Sequence, residues 1–278
     1  MNILLLETAT PVCSVALAID GKIVVEKHSD EPNAHSSKLS PFVQQILAES
    51  GVETKSLDAV CVSSGPGSYT GLRIGVSSAK GFCYALGIPL LSVPTLQGMA
   101  AQYYAQHPEY TGLVCPMIDA RRMECYTAIY ESTEIVNSEV VNSEIVNCEL
   151  TNDGCRPTIH NSQFTIYKKD NSQFTIHNSQ IVELKPVSAD IIVPNIYDEY
   201  LDRGEVVFIG DGAAKTKEIL GVHPNARYAS DFQIAASGML TVAMQKLQNG
   251  EHEDVAYFEP YYLKDFVAKK SVVRGLRQ

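Results

Sequence analysis

The segment Ser63-Ser64-Gly65-Pro66-Gly67-Ser68-Tyr69-Thr70-Gly71-Leu72-Arg73-Ile74-Gly75 limits what this chain can fold into more than any other stretch. It follows an apolar run, 58–62, that reads as a buried strand, and it opens a helix over 71–86. A Gly/Ser-rich turn between strand and helix leaves backbone N–H groups unpaired at the helix N-terminus. Such a place suits an anion or a closely approaching chain. Within the helix Gly71, Gly75, Ala79 and Cys83 recur at every fourth position and clear one face of bulk. A glycine in a helix interior costs about 1 kcal/mol relative to alanine, so two on one face point to a packing purpose. Either a second polypeptide covers that flank or the chain's own sheet does.

The surrounding sequence supplies the layers. Ile3–Glu7, Val12–Ile19 and Ile23–Lys27 read as strands, the last two joined by the turn signal Asp20-Gly21. Ser36–Ser50 carries Leu39, Phe42, Val43, Ile46 and Leu47 at helical spacing, with Gly51 just past its end. A strand at Pro89–Val93 and a helix from Thr95 to about His107 follow. This order predicts an α/β layer on a mixed sheet, antiparallel at its start and parallel after the first helix.

A second unit opens in the same manner. Leu113–Ile118 is an apolar strand ending in Asp119, and Met123–Tyr130 is its alternating partner, just as the first strand ends in Glu7 ahead of Cys13–Ile19. Two such openings about 110 residues apart predict related lobes, 1–108 and 109–278. Further on, Glu205–Ile209 reads as a strand, Ala213–Leu220 as a short helix, and Asp231 as the N-cap of a helix to about Gln248. Phe258–Leu263 is a final extended piece. Between 134 and 149 the pattern Glu-Ile/Val-Val-Asn-Ser/Cys repeats with period five, which fits neither helix nor strand, and Asn161–Ile166 recurs at Asn171–Ile176. The stretch 131–184 is expected to be an insertion at a loop tip, part of which extends a sheet edge, with no chemistry of its own.

Composition narrows the class. A chain of 278 residues that is 45% hydrophobic has a real core. Its net charge of −10 opposes broad attraction to nucleic acid or anionic membrane. Residues 264–278 nevertheless collect Lys264, Lys269, Lys270, Arg274 and Arg277 against Asp265 alone, so a solvated basic tail and a contact to RNA or an acidic partner are both open. Of the seven cysteines (Cys13, Cys61, Cys83, Cys115, Cys125, Cys148, Cys155), none forms a C-x-x-C pair, and Cys13, Cys61 and Cys115 lie in apolar runs. That usage suits a reducing cytosol. Glu7 breaks the apolar run Ile3–Leu6, and no stretch is apolar enough to span a bilayer, so a cytoplasmic protein without a secretory leader is expected.

The candidate chemistry is sparse. In a two-lobed nucleotide-binding fold each opening hairpin cradles phosphates while an acid there holds Mg²⁺ or orients water. Glu7-Thr8-Ala9-Thr10 and Asp119-Ala120-Arg121-Arg122 occupy those places, which makes Glu7, Thr8, Thr10 and Asp119 the nucleotide-binding candidates. Neither turn has a glycine to let a phosphate approach, and Glu7 is a methylene longer than aspartate, so independent ATP hydrolysis is not expected. No two histidines lie three or four residues apart, so no metal site is expected. Ser63, Ser64 and Ser68 stand in a Ser-Gly-Pro-Gly-Ser string, not in a G-x-S-x-G elbow. Gly210-Asp211-Gly212 has the look of a ribose or phosphate turn, but a strand-to-helix connection calls for such residues anyway.

At Glu7–Thr10, at Ser64–Gly75, at Ile118-Asp119-Ala120-Arg121-Arg122-Met123-Glu124-Cys125-Tyr126 and at Pro260-Tyr261-Tyr262-Leu263-Lys264-Asp265 the chain resembles the bacterial TsaB (YeaZ) family. The resemblance covers 1–130 well and 186–268 loosely; the repeats of 131–184 have no counterpart in it. It implies a two-lobed actin/Hsp70/sugar-kinase-like (ASKHA) fold. It implies a non-catalytic subunit, without a cofactor, in the assembly that makes N6-threonylcarbamoyladenosine at position 37 of tRNAs reading ANN codons. The implied partners are a TsaD-type transferase subunit, a TsaE-type ATPase, tRNA through the complex only, and a second copy when the chain is alone. Leu39, Val43 and Leu47 on the first helix and Gly71, Arg73, Gly75 and Ala79 on the second are then the expected partner interface. An ATPase or small-molecule kinase of the same fold, motivated by Glu7 and Asp119, is the alternative. A peptidase acting on the transferase subunit comes last, since no nucleophile–base pair is recognisable.

Overall fold

The computed structural model describes residues 1–134 and 179–264. Ten strands and six helices follow one another in the order β1 (Asn2–Glu7), β2 (Cys13–Ile19), β3 (Lys22–Ser29), α1 (Ala34–Ser50), β4 (Ala59–Ser63), α2 (Tyr69–Leu86), β5 (Leu90–Val93), α3 (Thr95–Gln106), β6 (Leu113–Asp119), β7 (Glu124–Glu134), β8 (Ser179–Ile191), α4 (Asp198–Leu201), β9 (Val206–Ile209), α5 (Lys217–Leu220), β10 (Ala226–Tyr228) and α6 (Leu240–Gln248) among the described residues. Single 3₁₀ turns at Thr54–Ser56, Ala214–Thr216 and Ala236–Met239 complete the elements of the described residues.

The strands make two five-stranded sheets, β3-β2-β1-β4-β5 and β10-β9-β6-β7-β8. In the first, β1, β2 and β3 are antiparallel and β1, β4 and β5 parallel. In the second, β6 and β7 are antiparallel, whereas β6, β9 and β10 are parallel. Read from their first strands outward, the two sheets have the same order, as expected of related lobes. Residues 135–178, which hold the repeats, lie outside the described residues.

Alternation explains the layers. On β1 and β4, Leu4, Leu6, Val60 and Val62 face α1 and α2, packing on Leu39, Val43, Ile46, Val76 and Ala79. Ile3, Leu5, Ala59 and Cys61 face the opposite way, onto Ala101 of α3 and onto Ala236, Met239, Val242 and Ala243. Strands buried on both faces read as unbroken apolar runs, which is why β1 and β4 are so conspicuous in the sequence. The other side of α3 (Leu96, Met99, Ala100, Tyr103, Tyr104) packs on Val114, Ile118, Ala128 and Tyr130 of the second sheet. One helix thus serves two cores.

Two expectations need correction. Asp231 is not an N-cap: residues 231–235 are non-helical, the 3₁₀ turn starts at Ala236 and α6 only at Leu240. The physical reason is Gln102 of α3, whose amide accepts from Ala235 N (3.0 Å) and donates to Gln233 O (2.8 Å), tying down backbone that would otherwise be free to turn. The lobe expected over 109–278 also does not stay with its own sheet, because Ala236–Ala243 packs on the first one. Glu253 then pairs with Leu90 (N to O, 2.8 Å), and Tyr261 N donates to Ser64 O at 2.7 Å. Both sheets, β7 as far as Glu131 and β8 from Ile181, belong to one compact unit.

Candidate functional site

The glycine turn serves a closely approaching chain, and that chain is the protein's own. Ser68 caps α2, its Oγ accepting from Gly71 N at 3.2 Å. The backbone of the turn after β1 lies directly against it: Ser68 N donates to Ala9 O at 2.6 Å, and Thr8 N to Ser63 Oγ at 3.3 Å. A Cβ on Gly67 would stand 2.3 Å from Ala9 O, one on Gly71 2.1 Å from Thr8 O, and one on Gly75 2.2 Å from Thr8 Oγ1. Only a side chain reduced to hydrogen fits at these three positions. Gly65, at φ 106°, adopts backbone that L side chains rarely take and lies equally close to Tyr261 O.

This contact seals the first lobe's opening turn. Glu7, Thr8, Ala9 and Thr10 are all buried. Glu7 accepts from Ala9 N at 2.6 Å, and burial pushes its carboxyl up to about 7 against the lowering effect of hydrogen bonds from Ala9, Ser63 and Thr8. Three of the four nucleotide-binding candidates, Glu7, Thr8 and Thr10, therefore face protein. The fourth, Asp119, lies in the other lobe.

The expected interface is corrected by the same packing. Leu39, Val43 and Leu47 are core residues between α1, α2 and the first sheet; Gly71, Gly75 and Ala79 are buried against Thr8 and that sheet. The flank that sequence spacing marked as bare is covered by the chain itself, and of those seven residues only Arg73 is exposed. What α2 does present is Thr70, Arg73, Ser77 and Gly81, ending in Tyr84, which is 85% exposed. A cleft of about 520 Å³ runs beside Tyr69, Arg73, Ile74 and Ser77. Next to it the segment after α6 crosses α2 as a strap. Lys80 Nζ bonds Ala256 O (3.1 Å) and Phe258 O (3.0 Å), Tyr262 packs on Tyr69 with ring centres 4.8 Å apart, and Tyr257 and Tyr261 face solvent. Arginine and tyrosine on one face are the side chains that carry most binding energy in protein interfaces. Of this surface the sequence reading had named Arg73 alone; Tyr84 on the same helix and the tyrosines of the strap, remote in sequence from α2, escaped it.

In the second lobe Asp119 ends β6, and Lys215 holds it. The ammonium bonds Asp119 Oδ1 (2.6 Å), Arg122 O (2.9 Å) and Glu124 O (2.7 Å). Asp119 also accepts from Arg121 N at 2.7 Å, while its own N–H donates to Asp211 at 3.1 Å. Partial burial raises the Asp119 carboxyl, yet the Lys215 and Arg121 hydrogen bonds and charges outweigh this and hold it below its usual value. Arg121 (φ 70°) and Arg122 (φ 49°) are both left-handed, a conformation that costs a non-glycine residue about 1–3 kcal/mol. Gly210-Asp211-Gly212 repeats the role of the first glycine turn: a Cβ on Gly210 would stand 2.5 Å from Met117 O, and one on Gly212 2.9 Å from Ile118 C.

Nucleophiles fare no better as candidates. Ser63 and Ser68 spend their hydroxyls on Thr8 N and Gly71 N. The five described cysteines are buried and unpaired, and burial pushes the Cys13, Cys83 and Cys125 thiols up to about 11, which keeps them protonated at neutral pH. Among the described residues no group of three His, Cys, Asp or Glu could hold a metal ion, and no helix is long and apolar enough to cross a membrane. From residue 265 the basic tail lies outside the described residues; Lys264 is ion-paired to Glu124.

Comparison with known proteins places this architecture. Residues 29–272 match the family model described as TsaD, tRNA N6-adenosine threonylcarbamoyltransferase. The tRNA threonylcarbamoyladenosine biosynthesis protein TsaB of Escherichia coli (strain K12) is 38% identical over 135 residues, 48% of this chain and 57% of that protein. Its Bacillus subtilis (strain 168) namesake is 34% identical over 131 residues, 47% of this chain and 56% of that one. The chain thus spans little more than half the length of these curated relatives. The solved structure of YeaZ from Pseudomonas aeruginosa superposes with a TM-score of 0.68 at 23% identity, covering 94% of this chain and 99% of that one. The two mixed sheets and their flanking helices are those of the actin/Hsp70/sugar-kinase-like fold.

Proposed function

Because this chain belongs to the TsaD, tRNA N6-adenosine threonylcarbamoyltransferase, family and is of its TsaB/YeaZ type, we propose that it is a non-catalytic subunit of the cytoplasmic assembly that forms N6-threonylcarbamoyladenosine at position 37 of ANN-decoding tRNAs. Its role is to bind and support a TsaD-type transferase subunit. The observation that carries this reading is the sealed opening turn. A phosphate can reach Glu7, Thr8 or Thr10 only if Gly67 and Gly71 separate from Ala9 and Thr8, and such separation breaks the Ser68–Ala9 hydrogen bond and exposes a buried carboxyl. The same feature counts against the kinase or ATPase reading, and the engaged serine hydroxyls and protonated thiols count against a peptidase.

The partner surface is the solvent side of α2 with its strap: Arg73, Tyr84, Tyr257 and Tyr261. A TsaE-type ATPase joins the resulting pair, and a second copy of the chain occupies the surface when the transferase subunit is absent. The test is co-elution with a TsaD-type subunit, together with threonylcarbamoyl transfer to tRNA measured with each subunit alone and with both. Transfer should require both, and Arg73→Glu combined with Tyr84→Ala should abolish co-elution while the melting temperature holds. Tight Mg-ATP binding with phosphate release by the isolated chain would refute the proposal.

A further inference from the structure

The hairpin tip joining β6 to β7 carries a backbone cost at two arginines whose side chains hold nothing in place among the described residues. Arg121 and Arg122 occupy consecutive left-handed positions at a tip closed by Ala120 N to Glu124 O (3.0 Å) and Glu124 N to Arg121 O (3.2 Å). Glycine and asparagine are the residues that such backbone favours. Lys215, with three bonds, fixes the tip and neutralises Asp119, and Lys264 neutralises Glu124. Asp211 turns its carboxylate to the Asp119 N–H. The two guanidiniums are exposed and make neither a hydrogen bond nor an ion pair among the described residues, although the Arg121 charge acts on Asp119 from a distance. Backbone strain held in place by a neighbouring lysine, so that two adjacent unpaired arginines stand out from an otherwise acidic protein, is an arrangement suited to phosphate oxygens.

We propose that Arg121 and Arg122 are a direct contact for the phosphate backbone of RNA. The contact rests on the tRNA reading above and adds to it that this subunit itself touches the RNA. The pair positions the RNA and reads no base, so lysine substitutes for arginine there.

The test uses the full chain, alone and mixed with a TsaD-type subunit. The probe is an unmodified tRNA transcript with an ANN-decoding anticodon, followed by fluorescence anisotropy between about 50 and 200 mM salt. Arg121→Glu with Arg122→Glu should weaken binding by about tenfold or more and reduce the slope of log K against log salt by about 2. Arg121→Lys with Arg122→Lys should restore the slope. Arg121→Asn with Arg122→Gly suits the backbone better, so it should raise the melting temperature by about 2–4 °C while losing the RNA contact. That opposite movement separates a binding role from a folding defect. Unchanged affinity and slope in the charge-reversed protein would overturn the proposal, as would displacement of the RNA by ATP at matched ionic strength, which would assign the pair to free nucleotide. If the TsaD-type subunit does not co-elute, the functional reading fails by itself, and the arginine pair is still judged by RNA binding to the chain alone.

Discussion

Gly71 and Gly81 stand on one helix yet have opposite value. At Gly71 a methyl group would overlap Thr8 O at 2.1 Å, and at Gly75 it would overlap Thr8 Oγ1 at 2.2 Å; at Gly81 it would meet nothing within 4 Å. Gly71→Ala and Gly75→Ala should therefore each lose about 1–3 kcal/mol in denaturant unfolding, whereas Gly81→Ala should gain about 0.5–1 kcal/mol from helix propensity. A bulkier Gly75→Leu would report on folding before it reported on any partner. Glu7 makes a second prediction at this scale. Its carboxyl titrates near 4.5 when unfolded and near 7 when folded, so between those values the unfolded chain holds fewer protons and stability falls as pH rises. The contribution is complete below pH 4.5 and lost by about pH 7, on the order of 3 kcal/mol. Glu7→Gln, which keeps the oxygen facing Ala9 N, should flatten this slope and be more stable than the parent at pH 8, as paired unfolding curves at pH 5 and 8 would show.

Elements differ in how openly the sequence announces them. α1 and α2 carry their own signals: apolar spacing, the Ser68 cap, and Gly51 and Gly87 in left-handed conformation just past their ends. β1, β4 and β6 announce themselves by being buried on both faces. The stretch 231–239 does not, because its conformation is decided by Gln102, 131 residues away from Gln233. Gln102→Leu should leave Gln233 O and Ala235 N unpaired, cost about 1–3 kcal/mol, and raise amide exchange across 233–239 in hydrogen–deuterium measurements. β10 has three residues and α4 and α5 four each, too few to establish a period. The site obeys the same rule. Spacing revealed that something must lie close to Gly71 and Gly75; that it is Thr8 follows only from the register of β1 beside β4, a long-range pairing that local pattern does not encode. For the same reason Leu39, Val43 and Leu47 read equally well as interface or core, and burial decided for core.

At the scale of the molecule, helix α3 lies in two cores at once. Ala101 belongs to the first sheet's core and Tyr103 and Tyr104 to the second's, and Gly98 lies beside Met239. Tyr104 OH adds bonds to Gly112 O (2.9 Å) and Tyr130 O (3.0 Å). Small-angle scattering curves of the isolated chain with and without Mg-ATP should accordingly superimpose; a contraction with nucleotide would contradict the sealed turn and the shared helix together. A protein built of two halves can close on a substrate only where the seam between them is slack. Here α3 is packed into both halves, so any such swing would strip apolar side chains from one core or the other.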